Sequence, residues 1–310
     1  MSNLGAYADT GTWRTTNREA AQPTGAEHFD ALADAYECST GGSTRAIARR
    51  VLQLEALQGL FAAPCDAVVL DNACGTAIVA EEIIARCRQS GGSDAAIPVI
   101  HAVDPVEKMV ALSAAKFASL GVAGRCAAAV MPGETLRFAD GTFSHSITNM
   151  GLMFYEDAAA GAREICRTLK PGGVAVVTTW ARLGFMTDIF IPAQKKARPG
   201  AEVNRLPIEP RWFDPVQVEE CLRKDGGFAK VRVELHDAHY SAPTKDAFCD
   251  QLLGLFGAFY QAWPWTEEEK TAFRDAVREI TPNVLVPCTH IDGSSGFGVP
   301  VSAIIAICER

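Results

Sequence analysis

The sequence predicts an α/β domain built on a doubly wound, mostly parallel sheet. Between residues 65 and 180, short apolar runs alternate with amphipathic helical stretches. The first two runs each end in an aspartate, Asp71 and Asp104, and a loop with a single glycine follows the first run. Such alternation indicates parallel strands joined by helices, with a ligand crevice outside the carboxyl ends of the strands where the strand order reverses.

Two helices are expected ahead of the first strand. Apolar residues recur at helical spacing from Phe29 to Tyr36 and again from Ile47 to Leu54, and residues 38–44 break the pattern. The stretch before them is rich in Thr, Asn and Gly and lacks the basic and apolar regions of a signal peptide.

Seven strands are expected in the sheet. Five follow one another at residues 67–71, 97–103, 126–131, 143–150 and 174–179, and two more lie at 231–235 and 301–307. Amphipathic helices separate the first five strands, and a Lys-Pro-Gly-Gly sequence at 170–173 ends the helix before the fifth.

A long insertion separates the last two strands. One helix presents Phe248, Leu252 and Phe256 on a single face, and a second is expected to begin at Thr266, with Glu269 completing a capping box. A stretch of this length is more typical of a lid or substrate wall than of a plain connector. The predicted parts are a disordered or loosely ordered leader (1–25), N-terminal cap helices (26–64), the ligand-binding sheet domain (65–241), a helical lid insertion (242–299) and the final core strand (300–310).

Composition and charge exclude several classes of protein. Of 310 residues, 48% are hydrophobic and 21% charged, which is typical of a soluble globular chain. The net charge is -8, with no large Lys/Arg cluster, so no nucleic-acid partner is expected. No apolar run approaches the roughly 20 residues that span a bilayer, so we expect no membrane partner and a cytoplasmic location. The ten cysteines stand singly without a CxxC pair, which predicts reduced thiols and no metal site.

The loop at residues 71–77 indicates the charge of the ligand. A dinucleotide site uses a GxGxxG loop, whose glycines let the backbone and a helix amino terminus receive a pyrophosphate. This loop has one glycine and begins with Asp71, which would repel an anion. A carboxylate at this point suits a cationic group, such as the ammonium of a methionyl moiety, either directly or through water.

The end of the second strand indicates a nucleoside. Asp104 is placed to accept hydrogen bonds from both hydroxyls of a ribose, a feature that nicotinamide and adenosylmethionine sites share. Pro105 and Met109 are placed to sandwich an adenine, and residues 131–134 border the base. Together these residues describe an adenosine with an amino-acid tail and no phosphate, which is S-adenosylmethionine.

Four segments resemble the ordered motifs of class I S-adenosylmethionine-dependent methyltransferases. They lie at residues 71–77, 104–109, 135–143 and 169–173. The resemblance runs from Asp66 onward and implies a Rossmann-like, doubly wound sheet of seven strands that binds this cofactor.

Within that family the sequence is most similar to small fungal methyltransferases of secondary metabolism that S-methylate the dithiols of gliotoxin-like compounds. The matching pieces are residues 36–37, 40–41, 69–75, 179–180, 265–268 and 298–300. This resemblance implies that the cofactor is surrounded by Tyr36, Ala73, Gly75, Asp104, Pro105, Met109, Gly133, Glu134 and Asn149. We add Asp71 and Cys74 of the loop to that set.

Two positions depart from the family pattern. Ala77 stands where a third glycine is usual, which adds a methyl group near the start of the helix. Pro132 stands where an aspartate or asparagine often binds the adenine amino group, so that contact must come from the backbone or from another residue.

The catalytic residue is not identified by the sequence. Methyl transfer depends mainly on alignment of the reacting atoms at about 3 Å, and a thiol with a pKa near 8.5 is already partly ionised at neutral pH. The catalytic candidates are His290, Asp292 and Tyr36. The candidate substrate residues are Thr40, Met153, Phe154, Trp180 and Phe256.

We therefore expect an S-adenosylmethionine-dependent methyltransferase that acts on a thiol, hydroxyl or amine of a small molecule, in secondary metabolism. Two alternatives stay open. One is an NAD(P)-dependent oxidoreductase, which the single glycine and Asp71 disfavour. The other is a methyltransferase-like fold that binds the cofactor without transferring a methyl group. The sequence also leaves homodimerisation open.

Overall fold

The computed structural model describes residues 29–30, 33, 36–61, 66–89, 94–260 and 265–310, with the side chains of residues 95 and 256–260 outside that description. The predicted leader, residues 1–25, lies outside the described residues. The side chain of Phe256, a predicted substrate contact, does so as well.

One sheet of eight strands forms the centre of the described structure. Its strands are β1 (Val68–Asn72), β2 (Val99–Asp104), β3 (Cys126–Val130), β4 (Phe143–Asn149), β5 (Leu169–Leu183), β6 (Lys230–Ala242), β7 (Val286–Thr289) and β8 (Ser295–Glu309). The order is β3-β2-β1-β4-β5-β8-β6, and β7 pairs with β8. The first five strands are parallel, and β8 runs antiparallel to β5, β6 and β7. The doubly wound, mostly parallel α/β fold is therefore confirmed.

Strand β1 lies at the switch point of the sheet. Its Asp71 is opposite Ala102 of β2 on one side and Ile147 of β4 on the other. The chain leaves β1 and β4 toward opposite sides, which opens a crevice beyond their carboxyl ends. The predicted ligand loop, residues 71–77, begins at that point.

The helices lie before, between and after these strands. They are α1 (Tyr36–Ser39), α2 (Ser43–Leu52), α3 (Ile78–Gln89), α4 (Glu107–Ser119), α5 (Ala158–Thr168), α6 (Ile191–Ala197), α7 (Pro215–Glu220), α8 (Lys245–Tyr260) and α9 (Glu267–Val284). Helix α2 packs on α3 and β6, and α9 packs on α6 and α8. The predicted capping box at the start of α9 is confirmed, with Thr266 Oγ1 accepting from Glu269 N at 3.2 Å and Glu269 Oε2 accepting from Thr266 N at 2.9 Å.

The antiparallel edge of the sheet differs from the prediction of seven strands. An eighth strand, β7, lies inside the stretch predicted as a helical insertion, and β8 begins at Ser295 rather than near residue 300. Gly296 and Gly298 favour a loop in sequence-based reasoning, but each sits in the strand because a Cβ there would contact a carbonyl oxygen of β6. The oxygens are those of Ala242 at 2.6 Å and Tyr240 at 2.7 Å. Close backbone approach thus explains the glycines.

No described helix is both long and apolar enough to cross a membrane.

The loop after β1 holds two alanines in left-handed backbone conformations. Ala73 has φ of 53° and Ala77 has φ of 58°, and Gly75 between them has φ of 53°. Left-handed backbone costs an alanine roughly 1–2 kcal/mol relative to a right-handed helix. The methyl group of Ala77, the departure from the family's glycine, is fully buried in the core. The loop therefore keeps the conformation that a glycine would favour, and burial of the methyl group offsets the strain.

A matched pair of glycine substitutions tests this strain. Ala77 and Ala80 are both fully buried, but only Ala77 has positive φ. Ala80→Gly loses a buried methyl group and helix propensity, whereas Ala77→Gly loses the methyl group but relieves the strain. We expect Ala77→Gly to lower the free energy of unfolding by about 2 kcal/mol less than Ala80→Gly in urea titrations. An equal decrease in the free energy of unfolding for both variants would contradict a strained backbone at Ala77.

Candidate active site

A cavity of ≈ 500 Å³ lies beyond the carboxyl ends of β1, β2 and β4. Eight of the predicted cofactor residues line this cavity: Tyr36, Ala73, Gly75, Asp104, Pro105, Met109, Glu134 and Asn149. Its other lining residues include Phe29, Val106, Met150 and Tyr155. We call this space the cofactor cavity. The fold therefore brings together residues from five separate segments that the sequence assigned to one ligand.

Asp104 is fixed by the backbone on both sides of the cavity. Its Oδ2 accepts from Gly75 N at 2.9 Å, and its Oδ1 accepts from Val106 N at 3.0 Å. Each carboxylate oxygen keeps further acceptor capacity, which is what a ribose diol requires. Burial raises the pKa of Asp104, and the two backbone N–H groups oppose that effect.

Asp71 is 1% exposed and sits one layer behind the loop. Its Oδ2 accepts from Ala80 N at 3.1 Å in the first turn of α3. Burial raises the pKa of Asp71 to about 8; the Ala80 N–H opposes this, and the charge of Asp104 adds to it. A buried carboxyl in this state favours the arrival of a positive charge, because a cation would stabilise its ionised form.

A second, small cavity of ≈ 20 Å³ lies beside Asp71 and adjoins the larger one. Asp71 lines it together with residues that also line the cofactor cavity: Tyr36, Ala73, Gly75 and Asn149. A space of this size holds about one water molecule. Asp71 is therefore placed to reach a cationic group in the cofactor cavity through one bridging water.

Gly75 lies at the point where the loop turns beside Tyr36. Its φ of 53° is in the left-handed region, and a Cβ at this position would lie 3.7 Å from Tyr36 Cε1. The hydroxyl of Ser113 donates to Gly75 O at 2.8 Å, which fixes the loop to α4. A glycine at this point leaves the backbone open to a ligand.

An ion-pair network ties the cap helix α1 to the ligand loop. Glu37 follows Tyr36 in the chain; its Oε1 accepts from Lys116 Nζ at 2.8 Å and from Thr76 Oγ1 at 3.2 Å. Arg45 of α2 pairs with Glu37 and, at 2.7 Å, with Glu81. Burial works against ionisation of Glu37, but Lys116 and Arg45 outweigh it and lower its pKa. This network holds Tyr36 over the cavity.

Three predicted cofactor residues have other structural roles. Gly133 does not line the cavity; a Cβ on it would lie 2.0 Å from the Tyr155 hydroxyl, so the glycine admits that ring. Cys74 is buried behind the loop beside Ser113, and burial raises its thiol pKa well above the ordinary value. Asn149 lines the cavity, but its amide already donates to Thr44 O at 3.1 Å and its Oδ1 accepts from the Thr178 hydroxyl at 2.9 Å.

An apolar cavity of ≈ 90 Å³ adjoins the cofactor cavity, and we call it the acceptor cavity. Four predicted substrate residues line it: Thr40, Met153, Phe154 and Trp180. Residues that sequence reasoning missed also line it, namely Phe29, Ser39, Ser43, Thr44, Met150, Leu183, Phe185, Leu206, Pro207, Ile208, Tyr240 and Leu255. Leu183, Phe185 and residues 206–208 come from a segment whose periodicity is weak. The other missed residues lie in or beside predicted elements, but the sequence pattern does not show that their side chains face this cavity.

Four side chains form the wall shared by the two cavities. They are Phe29, Tyr36, Met150 and Phe154. The Phe29 ring makes edge contacts with Phe154 at 5.0 Å and with Tyr36 at 6.1 Å between ring centroids. Burial is the main cause that raises the pKa of Tyr36, and the charges of Asp104 and Glu37 add to it. Tyr36 is therefore a neutral hydroxyl at physiological pH, and so a hydrogen-bond donor rather than a base.

The other catalytic candidates, His290 and Asp292, line neither cavity. They lie in a separate polar cleft of ≈ 570 Å³ on the other side of the turn between α1 and α2. His290 Nδ1 is 2.8 Å from Ser241 Oγ, and Asp292 Oδ1 accepts from the backbone and the hydroxyl of Ser294. Within the described residues, no group of three or more His, Cys, Asp or Glu side chains is arranged to hold a metal ion.

Comparison with known proteins agrees with this geometry. Residues 69–173 match the family model described as a methyltransferase domain. The chain is 36% identical over 123 residues to the ubiquinone/menaquinone biosynthesis C-methyltransferase UbiE of Geotalea daltonii, and 41% identical over 109 residues to that of Geobacter sulfurreducens. The matched segment carries Asp71, Gly75 and Asp104. The segment from residue 69 to residue 173 is thus a methyltransferase domain.

The matches to these relatives are partial. They cover 40% and 35% of this chain, and 47% and 40% of the two relatives. The matched domain, residues 69–173, contains most of β1, all of β2 to β4, the start of β5 and most residues that line the cofactor cavity. The cap helices, β6, β7 and β8 lie outside it. A structure of the [4+2]-cyclase SpnF shares the fold, with a TM-score of 0.55 and 18% identity, covering 94% of this chain and 97% of that chain.

The cavity of the methyltransferase domain fits S-adenosylmethionine. Asp104 offers the carboxylate for the ribose, the Gly75 backbone leaves room for the tail, and Asp71 is a buried carboxyl whose ionised form a cation would stabilise. Met109, which is 1% exposed, and Pro105 supply apolar surface for a base.

Replacing Asp71 by Asn tests its preference for a cation. The amide keeps the acceptor for Ala80 N but cannot become negative, so a ligand with an ammonium tail loses its partner. Loss of a charge-assisted contact costs about 1.5–3 kcal/mol, so we expect S-adenosylhomocysteine to bind about 10 to 100 times more weakly in calorimetry at pH 7.5.

Adenosine, which lacks the amino-acid tail, is the control ligand for Asp71→Asn. Its affinity should change less than threefold, since Asp104 and the adenine surface are intact. Equal losses for adenosine and S-adenosylhomocysteine would mean that Asp71 only shapes the loop.

Proposed function

We propose that this chain is a methyltransferase that moves the methyl group of S-adenosylmethionine to a heteroatom, preferably sulfur, of a neutral apolar small molecule. The observation that carries the proposal is the shared wall between the cofactor cavity and the acceptor cavity. A donor in the first cavity and an acceptor in the second would meet beside Tyr36, Met150 and Phe154.

The side chains of the shared wall would align the reactants and exclude water. S-adenosylmethionine supplies an electrophilic methyl group on a sulfonium centre. Tyr36, Met150 and Phe154 are held by packing and by the Glu37 network, so they restrict the approach of an acceptor to one direction. Such alignment without water accounts for much of the rate enhancement that methyl transfer requires.

The polarity of the acceptor cavity supports a neutral substrate. Among the described residues that line it there is no Asp, Glu, His, Lys or Arg. Its two tyrosines, Tyr36 and Tyr240, have pKa values raised by burial, so neither serves as a base at neutral pH. An acceptor that ionises without help is therefore favoured, and thiols do so more readily than alcohols or phenols.

The resemblance to fungal enzymes that S-methylate dithiols points to the same acceptor chemistry, and to secondary metabolism. The UbiE relatives are C-methyltransferases by name. A carbon acceptor also needs to lose a proton, and the lining offers no base for it. A sulfur acceptor therefore agrees better with the residues of this chain.

A second candidate function is a rearrangement in the acceptor cavity without methyl transfer. This candidate is suggested by the fold that the chain shares with the [4+2]-cyclase SpnF. At 18% identity the comparison shows a common fold and does not show a common activity. An apolar cavity without charged side chains could hold a neutral molecule in a reactive shape. The two candidates differ in whether the cofactor is consumed.

Transfer of label from S-adenosylmethionine with a radioactive methyl group separates the candidates. We expect benzenethiol, and an extract of the source cells, to yield labelled product extractable into organic solvent, together with an equal amount of S-adenosylhomocysteine. Phenol should react at least tenfold more slowly at pH 7.5, since its pKa is near 10. Asp104→Asn should lose most of the activity, because it weakens the acceptor for the ribose.

The pH dependence of the methyl-transfer rate tests whether a side chain of the protein acts as a general base. With two benzenethiols of different thiol pKa, the midpoint of the pH–rate curve should move with the pKa of the acceptor. A midpoint that stays fixed for both acceptors would indicate a base on the protein. Tight binding of S-adenosylhomocysteine with no transfer to any acceptor would favour the rearrangement, and binding of NAD instead would contradict both candidates.

A further inference from the structure

The hydroxyl of Tyr240 is a buried polar group that donates a hydrogen bond to no described residue. Tyr240 lies on β6, is 1% exposed and lines the acceptor cavity. A buried hydroxyl without a partner costs stability, so such a group in a folded protein calls for an explanation. A ligand that accepts a hydrogen bond from this hydroxyl is one such explanation.

The ring of Tyr240 is held rigidly. A Cβ on Gly41 would lie 2.8 Å from the ring, so the glycine, with φ of 57°, allows the turn between α1 and α2 to press against it. Phe185 and Phe248 contact the ring at 4.8 and 5.3 Å between centroids. The hydroxyl therefore has little freedom to turn toward another partner.

The nearest polar neighbour does not satisfy this hydroxyl. Gln251 acts as a side-chain hydrogen-bond donor to the phenol oxygen, which opposes the rise in the pKa of Tyr240 that burial causes. Its amide nitrogen also donates to Ser241 O at 3.3 Å, and the O–H of Tyr240 itself donates to no described residue. Burial dominates, so Tyr240 remains protonated and is a hydrogen-bond donor at physiological pH.

The serine and threonine hydroxyls of residues that line the acceptor cavity donate elsewhere. Ser39 Oγ donates to Tyr36 O at 2.8 Å, Thr40 Oγ1 donates to Glu37 O at 3.1 Å and Ser43 Oγ donates to Thr40 O at 2.7 Å. Thr44 Oγ1 donates to the Thr40 hydroxyl at 3.2 Å. These four side chains complete the turn and the first residues of α2, whereas the donor of Tyr240 is uncommitted.

We propose that Tyr240 determines specificity by donating a hydrogen bond to a carbonyl oxygen of the acceptor substrate. Tyr240 lines the acceptor cavity but not the cofactor cavity, so this oxygen lies away from the atom that receives the methyl group. The absence of cations among the described lining residues disfavours a carboxylate, and a neutral carbonyl fits a hydroxyl donor in an apolar site. The proposal rests on the proposed function, because it takes the acceptor cavity as the substrate site.

Two probes of equal shape test the proposal. Acetophenone and α-methylstyrene differ in a carbonyl oxygen against a methylene group. Each is titrated by NMR into the wild-type chain saturated with S-adenosylhomocysteine. We expect acetophenone to bind at least ten times more tightly, since an unmatched donor penalises the hydrocarbon. Tyr240→Phe keeps the ring and removes the hydroxyl, and it should reduce the preference to less than twofold.

A matched control removes a buried hydroxyl elsewhere. Thr281 also has a buried hydroxyl without a hydrogen-bond partner and lies on α9, outside both cavities. Thr281→Val should keep the full preference for acetophenone. Tyr240→Phe should keep the affinity for S-adenosylhomocysteine and a melting temperature equal to or above that of the wild type.

Three outcomes would overturn the proposal. They are equal binding of the two probes by the wild type, an unchanged preference in Tyr240→Phe, and a lower melting temperature in Tyr240→Phe, which would show that the hydroxyl has a structural partner. Failure of the proposed function is seen separately, as a lack of binding of S-adenosylhomocysteine or a lack of label transfer, and neither measurement depends on the Tyr240 hydroxyl.

Discussion

Two carboxyl groups buried at the ends of adjacent parallel strands are the constraint on which the site depends. Asp71 ends its strand under the first turn of α3, and Asp104 ends the neighbouring strand with both oxygens fixed by backbone N–H groups. Burial and the charge of Asp104 make ionisation of Asp71 unfavourable. The arrangement is therefore relieved by a ligand that brings a positive charge and two hydroxyls, and it is made worse by a phosphate.

The cap helix α1 supplies one side of the cofactor cavity next to these two carboxyl groups. Glu37 joins the cap to α4 through Lys116 and to the ligand loop through Thr76, and the adjacent Tyr36 becomes part of the wall between the two cavities. The charged groups lie on the outer side of this wall and the apolar groups face the acceptor cavity. Under the proposed function, cofactor recognition is therefore mainly electrostatic, whereas acceptor recognition is mainly apolar, with Tyr240 as the proposed hydrogen-bond donor.

The sequence predicted the parallel half of the sheet well, because buried parallel strands are short apolar runs whose last residue marks the carboxyl edge. Asp71 and Asp104 could be placed at one crevice on that ground alone. Gly133 could not be separated from its neighbours, because a motif fixes a position along the chain but not the direction of a side chain. The contact of Gly133 with Tyr155 depends on how α5 packs.

The antiparallel half was less predictable, since its strands alternate polar and apolar residues and carry glycines for close backbone approach. As a result β6 was taken to end before Tyr240, and the hydroxyl on the acceptor wall was missed. His290 and Asp292 looked like a pair in the chain, but their turn faces a cleft outside both cavities. The end of β6 depends on its long-range pairing with β8, and the position of the turn that carries His290 and Asp292 depends on where β7 and β8 pack. A local sequence pattern predicts neither.

Burial raises the pKa of Asp71 to about 8, so we expect it to be largely protonated in the free protein and to ionise when the ammonium group of the cofactor's amino-acid tail arrives. Calorimetry of S-adenosylhomocysteine binding at pH 7, repeated in buffers of different ionisation enthalpy, counts the protons exchanged on binding. With a free pKa of about 8 for Asp71, the account predicts release of close to one proton by the wild type and none by Asp71→Asn. No release by the wild type, or equal release by both proteins, would contradict it.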